Sequence, residues 1–115
     1  MIKSIALVKR KPGLTREEFV RHYEEVHVPL VLKHNPAIRK YVRNHITTFL
    51  SGAPSDGELD FDCITEIWVD DVEASKVGLD FWMSEAGQAI RDDEESFQDR
   101  SKIVIFHVDE RVSGI

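Results

Sequence analysis

Residues 11–30, KPGLTREEFVRHYEEVHVPL, decide the fold because they mark the end of a strand and the start of a helix. Pro12-Gly13 predicts a turn that closes the preceding apolar run. Thr15 and Glu18 have the spacing of a capping box. The Thr hydroxyl accepts a hydrogen bond from the backbone N–H three residues on, and the Glu carboxylate accepts one from the backbone N–H of the Thr. A helix is therefore predicted from about Thr15 to about Lys33.

The second half of this helix carries a titratable ring at a proline. Four apolar residues fall at helical spacing and predict the buried face: Phe19, Tyr23, Val26 and Leu30. Pro29 has no backbone N–H and disfavours helical geometry at the residue before it. The helix is therefore predicted to kink or end near His27, which leaves this imidazole at the edge of the apolar face.

Length and composition restrict the class of protein. A chain of 115 residues predicts a single domain, 1–115. The net charge of −6 argues against a nucleic-acid partner, which requires a basic footprint. No apolar run is long enough to span a membrane, and a lone cysteine, Cys63, excludes a disulfide framework. We expect a cytoplasmic protein with neither nucleic acid nor membrane as a partner.

The remaining elements complete a β-α-β-β-α-β order. Strands are predicted at 2–9, 38–50, 61–69 and 103–108. Asp70 with Glu73 predicts a second capping box that opens a helix over 72–79, and Ser84 is expected to cap a further helical piece to about Asp93. The order predicts an α+β, ferredoxin-like fold with an antiparallel sheet and helices on one face only.

The other face of such a sheet needs a cover that this chain does not supply. Strand 61–69 places large apolar groups on both faces, so an uncovered face would expose a patch of several hundred Å². A second copy is the economical cover, and a two-fold homodimer is therefore predicted. Two facing sheets are expected to enclose a pocket.

Six segments in the correct order resemble the EthD-type branch of the dimeric α/β-barrel superfamily: residues 10–19, 23–30, 41–45, 61–68, 93–101 and 108–110. This family and its relatives include proteins of oxidative degradation, muconolactone isomerases and cyclases or dehydratases of aromatic polyketides. Haem enzymes share the wider fold. The resemblance implies a cofactor-free domain that holds a small hydrophobic cyclic, aromatic or lactone-like ligand. Cys63 departs from the pattern, since the family often has a small residue there.

His27 is the first candidate for a catalytic residue, because an imidazole moves protons at neutral pH and because the resemblance includes the His-x-Pro element. The alternative is a histidine that bonds a carbonyl at a helix end. Asp62 is the second candidate, as a carboxylate that orients His27 or binds a substrate hydroxyl. No metal site is predicted, since His22 and His27 do not have the spacing that places two ligands on one helix face.

Five residues are candidates for substrate binding: Tyr23, Asn44, His45, Glu66 and Trp68. Asn44 and His45 point to opposite faces of their strand, so at most one of them lines a pocket. Each candidate has a structural alternative, such as core packing for Tyr23 and Trp68 or an ion pair between Glu66 and Arg43. The acidic run 92–95 is interpreted as a solvated helix end.

These observations predict a cofactor-independent enzyme that transfers a proton in an isomerisation, dehydration or ring closure. The substrate class is a small aromatic, lactone or polyketide-like compound. Two alternatives stay open. One is a non-catalytic, ligand-binding accessory protein of a monooxygenase pathway, and the other is a haem or redox enzyme of the wider superfamily, with His45 or His107 as axial ligand.

Overall fold

A four-stranded antiparallel sheet forms one layer of the protein, and the helices form the other. The structure is a computed structural model that describes residues 1–114. The strands are β1 (Ile2–Val8), β2 (Lys40–His45), β3 (Cys63–Val69) and β4 (Val104–Val108), in the spatial order β2-β3-β1-β4. Both central strands pair antiparallel with their neighbours. The predicted ferredoxin-like architecture is confirmed.

The second strand is shorter than the sequence predicts. β2 ends at His45. One further backbone hydrogen bond to the segment before β3 follows, from the Ile46 N–H to the Asp62 carbonyl at 3.0 Å. The β-branched residues after Ile46 have no strand beside them, because β3 begins at Cys63, which pairs with His45. Residues 46–62 instead form a long connection to β3. Glu58 in this connection accepts hydrogen bonds from Lys9 and Arg10, which follow β1.

The first helical segment has three parts: α1 (Arg16–His22), a π-helical turn (Tyr23–His27) and α2 (Val28–His34). Both hydrogen bonds of the predicted capping box at Thr15 are present. The helix neither ends nor opens at the proline. Instead the Val28 N–H bonds the Tyr23 carbonyl five residues back, which is the π pattern. A proline two residues into α2 would clash with the carbonyl of a regular helix, and the wider turn just before it relieves that crowding.

The π turn changes which side chains point inward. Tyr23, His27 and Val28 are buried, whereas Val26 is 45% exposed. The prediction that Val26 lies on the buried face is therefore wrong. A π turn holds one more residue than an α turn, so the residue after Val26 takes the inward position. The imidazole of His27 moves from the edge of the apolar face to its centre.

The remaining helices are α3 (Val72–Met83) and α4 (Gln88–Phe97), joined by a short 3₁₀ turn. The cap of α3 is Asp71, which accepts a bond from the Ala74 N–H at 2.8 Å, and not Asp70 as predicted. Ser84 donates to the Phe81 carbonyl and does not cap the next helix. At Gly87 a Cβ would lie 2.5 Å from the carbonyl oxygen of Phe81, so only glycine permits this close connection.

The core lies between the helices and one face of the sheet. It contains Val8, Phe19, Tyr23, Cys63 and Phe97, all almost fully buried. The other face of the sheet has no helix against it in residues 1–114, and we call it the open face. Within the same residues, none of the helices is both long and apolar enough to cross a bilayer.

We expect Thr15→Ala to lower the free energy of unfolding by about 1 kcal/mol, because it removes the hydroxyl that accepts from the Glu18 N–H. Urea unfolding followed by circular dichroism measures the change. Thr15→Ser is the matched control, since it keeps the hydroxyl and should stay close to the wild type. Equal losses in both variants would contradict the role of the cap.

Candidate functional site

The imidazole of His27 is the centre of a buried polar cluster between the π turn and α4. The side chain of His27 is 4% exposed, and its Nδ1 lies 2.9 Å from Asp93 Oδ2. Its Nε2 lies 3.8 Å from Glu94 Oε2, beyond direct hydrogen bonding. Since an ionised carboxylate only accepts, Nδ1 carries the proton in the neutral ring, and Nε2 carries the lone pair. The ring therefore presents a base toward Glu94.

Each of the two carboxylates has a second partner. Asp93 Oδ1 lies 2.8 Å from Nε2 of His22, so one carboxylate bridges two imidazoles. Glu94 Oε1 accepts a hydrogen bond from the Trp82 indole N–H at 2.8 Å, and the Arg100 guanidinium lies 3.5 Å from the same oxygen. Glu94 Oε2 therefore remains as the oxygen nearest to Nε2 of His27.

The pattern of α4 explains why these carboxylates face inward. Ile90, Asp93, Glu94 and Phe97 fall at the i, i+3, i+4 and i+7 spacing of one helix face, and Ile90 and Phe97 are buried. The interpretation of run 92–95 as a solvated helix end is therefore wrong for its two middle residues, although Asp92 and Glu95 are exposed. The signal that identifies Asp93 and Glu94 is their position between two large apolar residues of the same stripe.

Two phenols extend the cluster toward the sheet. The Tyr23 hydroxyl lies 2.6 Å from Thr65 Oγ1, and the Tyr23 ring meets the His27 ring edge-on with 5.5 Å between centroids. Burial raises the pKa of Tyr23 well above its usual range. Burial also raises the pKa of Tyr41 to about 12, and the neighbouring Tyr23 phenol opposes this shift. Both phenols are therefore neutral hydrogen-bond donors at neutral pH.

Burial moves the pKa values of the acid and the base in opposite directions. It lowers the pKa of His27, and the hydrogen bond and charge of Asp93 partly restore it. Burial raises the pKa of Glu94, and the hydrogen bond from Trp82 opposes that shift. The imidazole is therefore an uncharged base near neutral pH, and it lies beside a carboxyl group whose pKa is raised. This is the pattern of an acid–base pair.

His45 lies on the same side of the sheet but has other partners. Its Nε2 is 2.8 Å from Glu24 Oε2, and its ring meets Tyr23 with 5.6 Å between centroids. The Arg43 guanidinium and, less strongly, His45 lower the pKa of Glu24 to about 2. The Nδ1 of His45 is buried without a hydrogen-bond partner in residues 1–114. His107, the other histidine considered for haem, bonds Ser75 at 3.0 Å.

Three of the predicted site residues lie on the open face instead. Asn44 donates to Glu66 Oε2 at 2.7 Å, and Lys3 donates to Glu66 Oε1 at 2.8 Å. The Lys3 and Lys40 ammonium groups lie 4.8 and 4.6 Å from the ring centroid of Trp68. The expected pair between Glu66 and Arg43 does not form, because Arg43 binds Glu24 on the other face. A single pocket that holds His27 together with Asn44, Glu66 and Trp68 is therefore ruled out by the sheet between them.

Asp62 does not orient His27 as predicted. Its Oδ2 accepts from the Arg10 backbone N–H at 2.9 Å, and its Oδ1 accepts from the Arg10 guanidinium at 3.1 Å. The orienting contact on His27 is made by Asp93 instead. The Cys63 thiol next to Asp62 is fully buried, and burial raises its pKa to about 11, so it is not a reactive nucleophile.

Two open grooves flank the helical side of the described residues. The larger, about 780 Å³, lies along α1 beside the end of β2 and includes His45. The smaller, about 300 Å³, lies beside His22, Ser96 and Phe97. His27 lines neither groove, since Phe97 and the carboxylates of α4 cover its ring. Within residues 1–114 no group of three or more His, Cys, Asp or Glu side chains is arranged to hold a metal ion.

Comparison with known families confirms the resemblance noted in the sequence. The EthD domain model matches residues 11–101. A search of curated proteins found no match. Among solved structures, an ethyl tert-butyl ether D (EthD) family protein from Bacillus halodurans is similar, with a TM-score of 0.65 and 20% identity, over 96% of this chain and 100% of that chain.

Two further structures share the fold. An EthD-like protein from Ralstonia eutropha has a TM-score of 0.61 and 19% identity, over 93% of this chain and 86% of that chain. A dimeric protein of unknown function and ferredoxin-like fold from Bacteroides fragilis has a TM-score of 0.60 and 11% identity, over 95% of both chains. At these identities the likeness concerns the fold alone.

We expect Asp93→Asn to lower the pKa of His27 further, because the aspartate is the group that raises it against burial. NMR titration of the histidine ring protons measures this value. Asp92→Asn is the matched control, since its exposed carboxylate bonds only Gln88 in the described residues. An unchanged or higher pKa of His27 in Asp93→Asn would contradict the assignment.

The same shift predicts how stability depends on pH. The pKa of His27 lies below the value of 6.5 expected for the unfolded chain. Between these two values the unfolded state binds more protons, so the contribution of His27 to stability is lost as the pH falls through this window. In Asp93→Asn the window extends to lower pH, and the loss on acidification should be larger.

Proposed function

We propose that this chain, which belongs to the EthD domain family, catalyses a cofactor-independent proton transfer on a small cyclic or aromatic oxygenated compound. The reaction is an isomerisation, a dehydration or a ring closure. The observation that carries the proposal is the buried His27 imidazole, whose Nδ1 is fixed on Asp93 and whose Nε2 faces Glu94. An oriented neutral base beside a carboxyl group of raised pKa is suited to taking and returning a proton.

The step begins with a proton on the carbon next to a substrate carbonyl. Nε2 of His27 takes this proton, and the electron pair of the C–H bond passes to the carbonyl oxygen as an enolate. Asp93 stabilises the imidazolium through Nδ1–H, because the two groups already share a hydrogen bond. The imidazolium then returns the proton to a different carbon, or to a hydroxyl that leaves as water.

The enolate oxygen needs a hydrogen-bond donor, and the cluster supplies two phenols. Tyr23 and Tyr41 stay protonated because burial raises their pKa values. Donors fixed in a site that excludes water stabilise developing charge more strongly than water does. The same aromatic groups give the site an affinity for flat, apolar rings.

A substrate reaches Nε2 only after the cover over Glu94 moves. The Trp82 indole forms part of that cover, and it belongs to α3, which has no fully buried residue. Elements with few buried contacts open at the lowest cost in free energy. Displacement of Trp82 frees Glu94 Oε1 and exposes the space between Glu94 and His27 to the ligand.

The open face supports association of two copies. Its side chains are largely apolar and come from all four strands: Ile5, Leu7, Val42, Ile64, Trp68, Val104, Phe106 and Val108. The related protein from Bacteroides fragilis is dimeric. A second copy placed face to face would cover this surface by two-fold symmetry. Asn44, Glu66 and Trp68 would then contact the partner rather than a substrate bound at His27.

We expect His27→Gln to slow proton transfer by at least about 100-fold, because glutamine keeps polarity but cannot act as a base. Incubation of small cyclic ketones, lactones and phenolic ketones in D₂O detects transfer as deuterium incorporation, measured by mass spectrometry. His107→Gln is the matched control, since this exposed histidine bonds Ser75 at the sheet edge. Equal exchange rates in wild type and His27→Gln would contradict the proposal.

The same compounds separate catalysis from simple binding. Saturable binding measured by calorimetry, without deuterium incorporation into any compound, would favour the accessory-protein function. Under the enzymatic function, His27→Gln should retain the binding while it loses the exchange, because the aromatic walls of the site are unchanged.

We expect Phe106→Glu to convert the dimer to a monomer, because it places an unpaired carboxylate within the apolar surface of the proposed interface. Sedimentation velocity measures the assembly state. Val77→Glu is the control, since Val77 is 65% exposed on α3 and lies outside the open face. A dimer that survives Phe106→Glu would exclude this face as the interface.

A further inference from the structure

We propose that His22 is a positioning residue for the reaction of His27: it holds the Asp93 carboxylate in the orientation that keeps the proton of His27 on Nδ1. The catalytic role of His22 in this inference depends on the proposed function. The inference adds a residue that lies five residues before the catalytic imidazole, just ahead of the π turn, and that has no contact with the reacting nitrogen. The chain of contacts runs from His22 to Asp93 and from Asp93 to His27.

Asp93 has few other partners. Its two carboxylate oxygens face one imidazole each, at 2.8 Å from Nε2 of His22 and 2.9 Å from Nδ1 of His27. Ser96 bonds the backbone carbonyl of Asp93 at 2.5 Å and leaves the carboxylate to the histidines. Within residues 1–114 no third side chain donates to the carboxylate. The two imidazoles therefore set its rotamer between them.

The position of His22 indicates how the Asp93 carboxylate would reorient if His22 were replaced. His22 and Ser96 line the smaller groove, which is open to water, and His22 also contacts Asp93 Oδ1. A carboxylate left with one uncharged donor gains free energy by turning toward water, because a buried anion needs several donors. His22 occupies that direction and supplies the second donor. It thereby keeps Asp93 Oδ2 in hydrogen-bonding contact with Nδ1 of His27.

The ring of His22 is itself fixed. It packs against the Phe97 ring with 4.7 Å between centroids and a tilt of 32°. The same Phe97 ring packs against His27 with 4.9 Å between centroids. One buried aromatic ring therefore supports both histidines, and Asp93 joins them at their polar edges. Replacement of His22 can remove the donor while it keeps the aromatic packing.

The test is the tautomer of His27 in protein labelled with ¹⁵N-histidine, measured by long-range ¹H–¹⁵N NMR at pH 7.5. His22→Phe keeps a ring on Phe97 and removes the donor. His22→Gln places an amide N–H close to the position of the imidazole Nε2–H and keeps the donor. We expect wild type and His22→Gln to hold the proton on Nδ1 of His27. In His22→Phe the Nε2–H tautomer should rise at least about fivefold, since a hydrogen bond to a charged group is lost.

Each outcome decides the proposal. The proposal is supported if His22→Gln keeps the Nδ1–H tautomer of His27 and His22→Phe loses it. A packing role alone would favour Phe over Gln at this position. An unchanged tautomer in His22→Phe, or a loss in both variants, would overturn it. His22→Leu, which also lacks a donor, replaces His22→Phe if the latter does not fold. The tautomer is measured without substrate, so a negative deuterium-exchange result would refute the proposed function and leave this result standing.

Discussion

The hydrogen bond from the Val28 N–H to the Tyr23 carbonyl is the constraint on which the site depends. It closes the π turn and inserts one residue into the helical repeat. In an uninterrupted α-helix, Val26 would share the buried face of Phe19 and Tyr23. The insertion gives that position to His27 and exposes Val26. Pro29 cannot donate a backbone hydrogen bond, and a regular turn would place its ring against the carbonyl four residues back, so the sequence favours the wider turn at this point.

Three titratable side chains then meet in a region largely shielded from solvent. The cost of burying charge shifts the pKa values of two of them, His27 and Glu94. A neutral His27 avoids a buried cation, and burial accordingly lowers its pKa. Asp93 faces two imidazoles, one at each of its carboxylate oxygens. Glu94 has a single strong donor, Trp82, so burial prevails and raises its pKa. Burial therefore moves the pKa values of His27 and Glu94 in opposite directions.

The sequence predicted those features that depend on neighbours along the chain. The Thr15 cap, the order of strands and helices and the family resemblance are confirmed because spacing and turn residues specify them locally. The inward orientation of Asp93 and Glu94 was missed, although the stripe of Ile90 and Phe97 indicates it. Their partner His27 could not be predicted, because it lies 66 residues from Asp93 along the chain. The sheet also separated residues that the sequence placed in one pocket. Alternation assigns residues to two faces, but only the packed helices decide which face is covered.

Strand β3 connects the two surfaces that the proposals use. Cys63 and Thr65 point to the helices, and Thr65 bonds Tyr23, whereas Ile64 and Glu66 point to the open face. Because the side-chain period of a strand is two, a shift of one residue in its pairing would exchange these sets. The pairing of β3 with β1 on one side and β2 on the other fixes the register. The placement of Tyr23 beside His27 and the exposure of the apolar face therefore follow from the same backbone ladder.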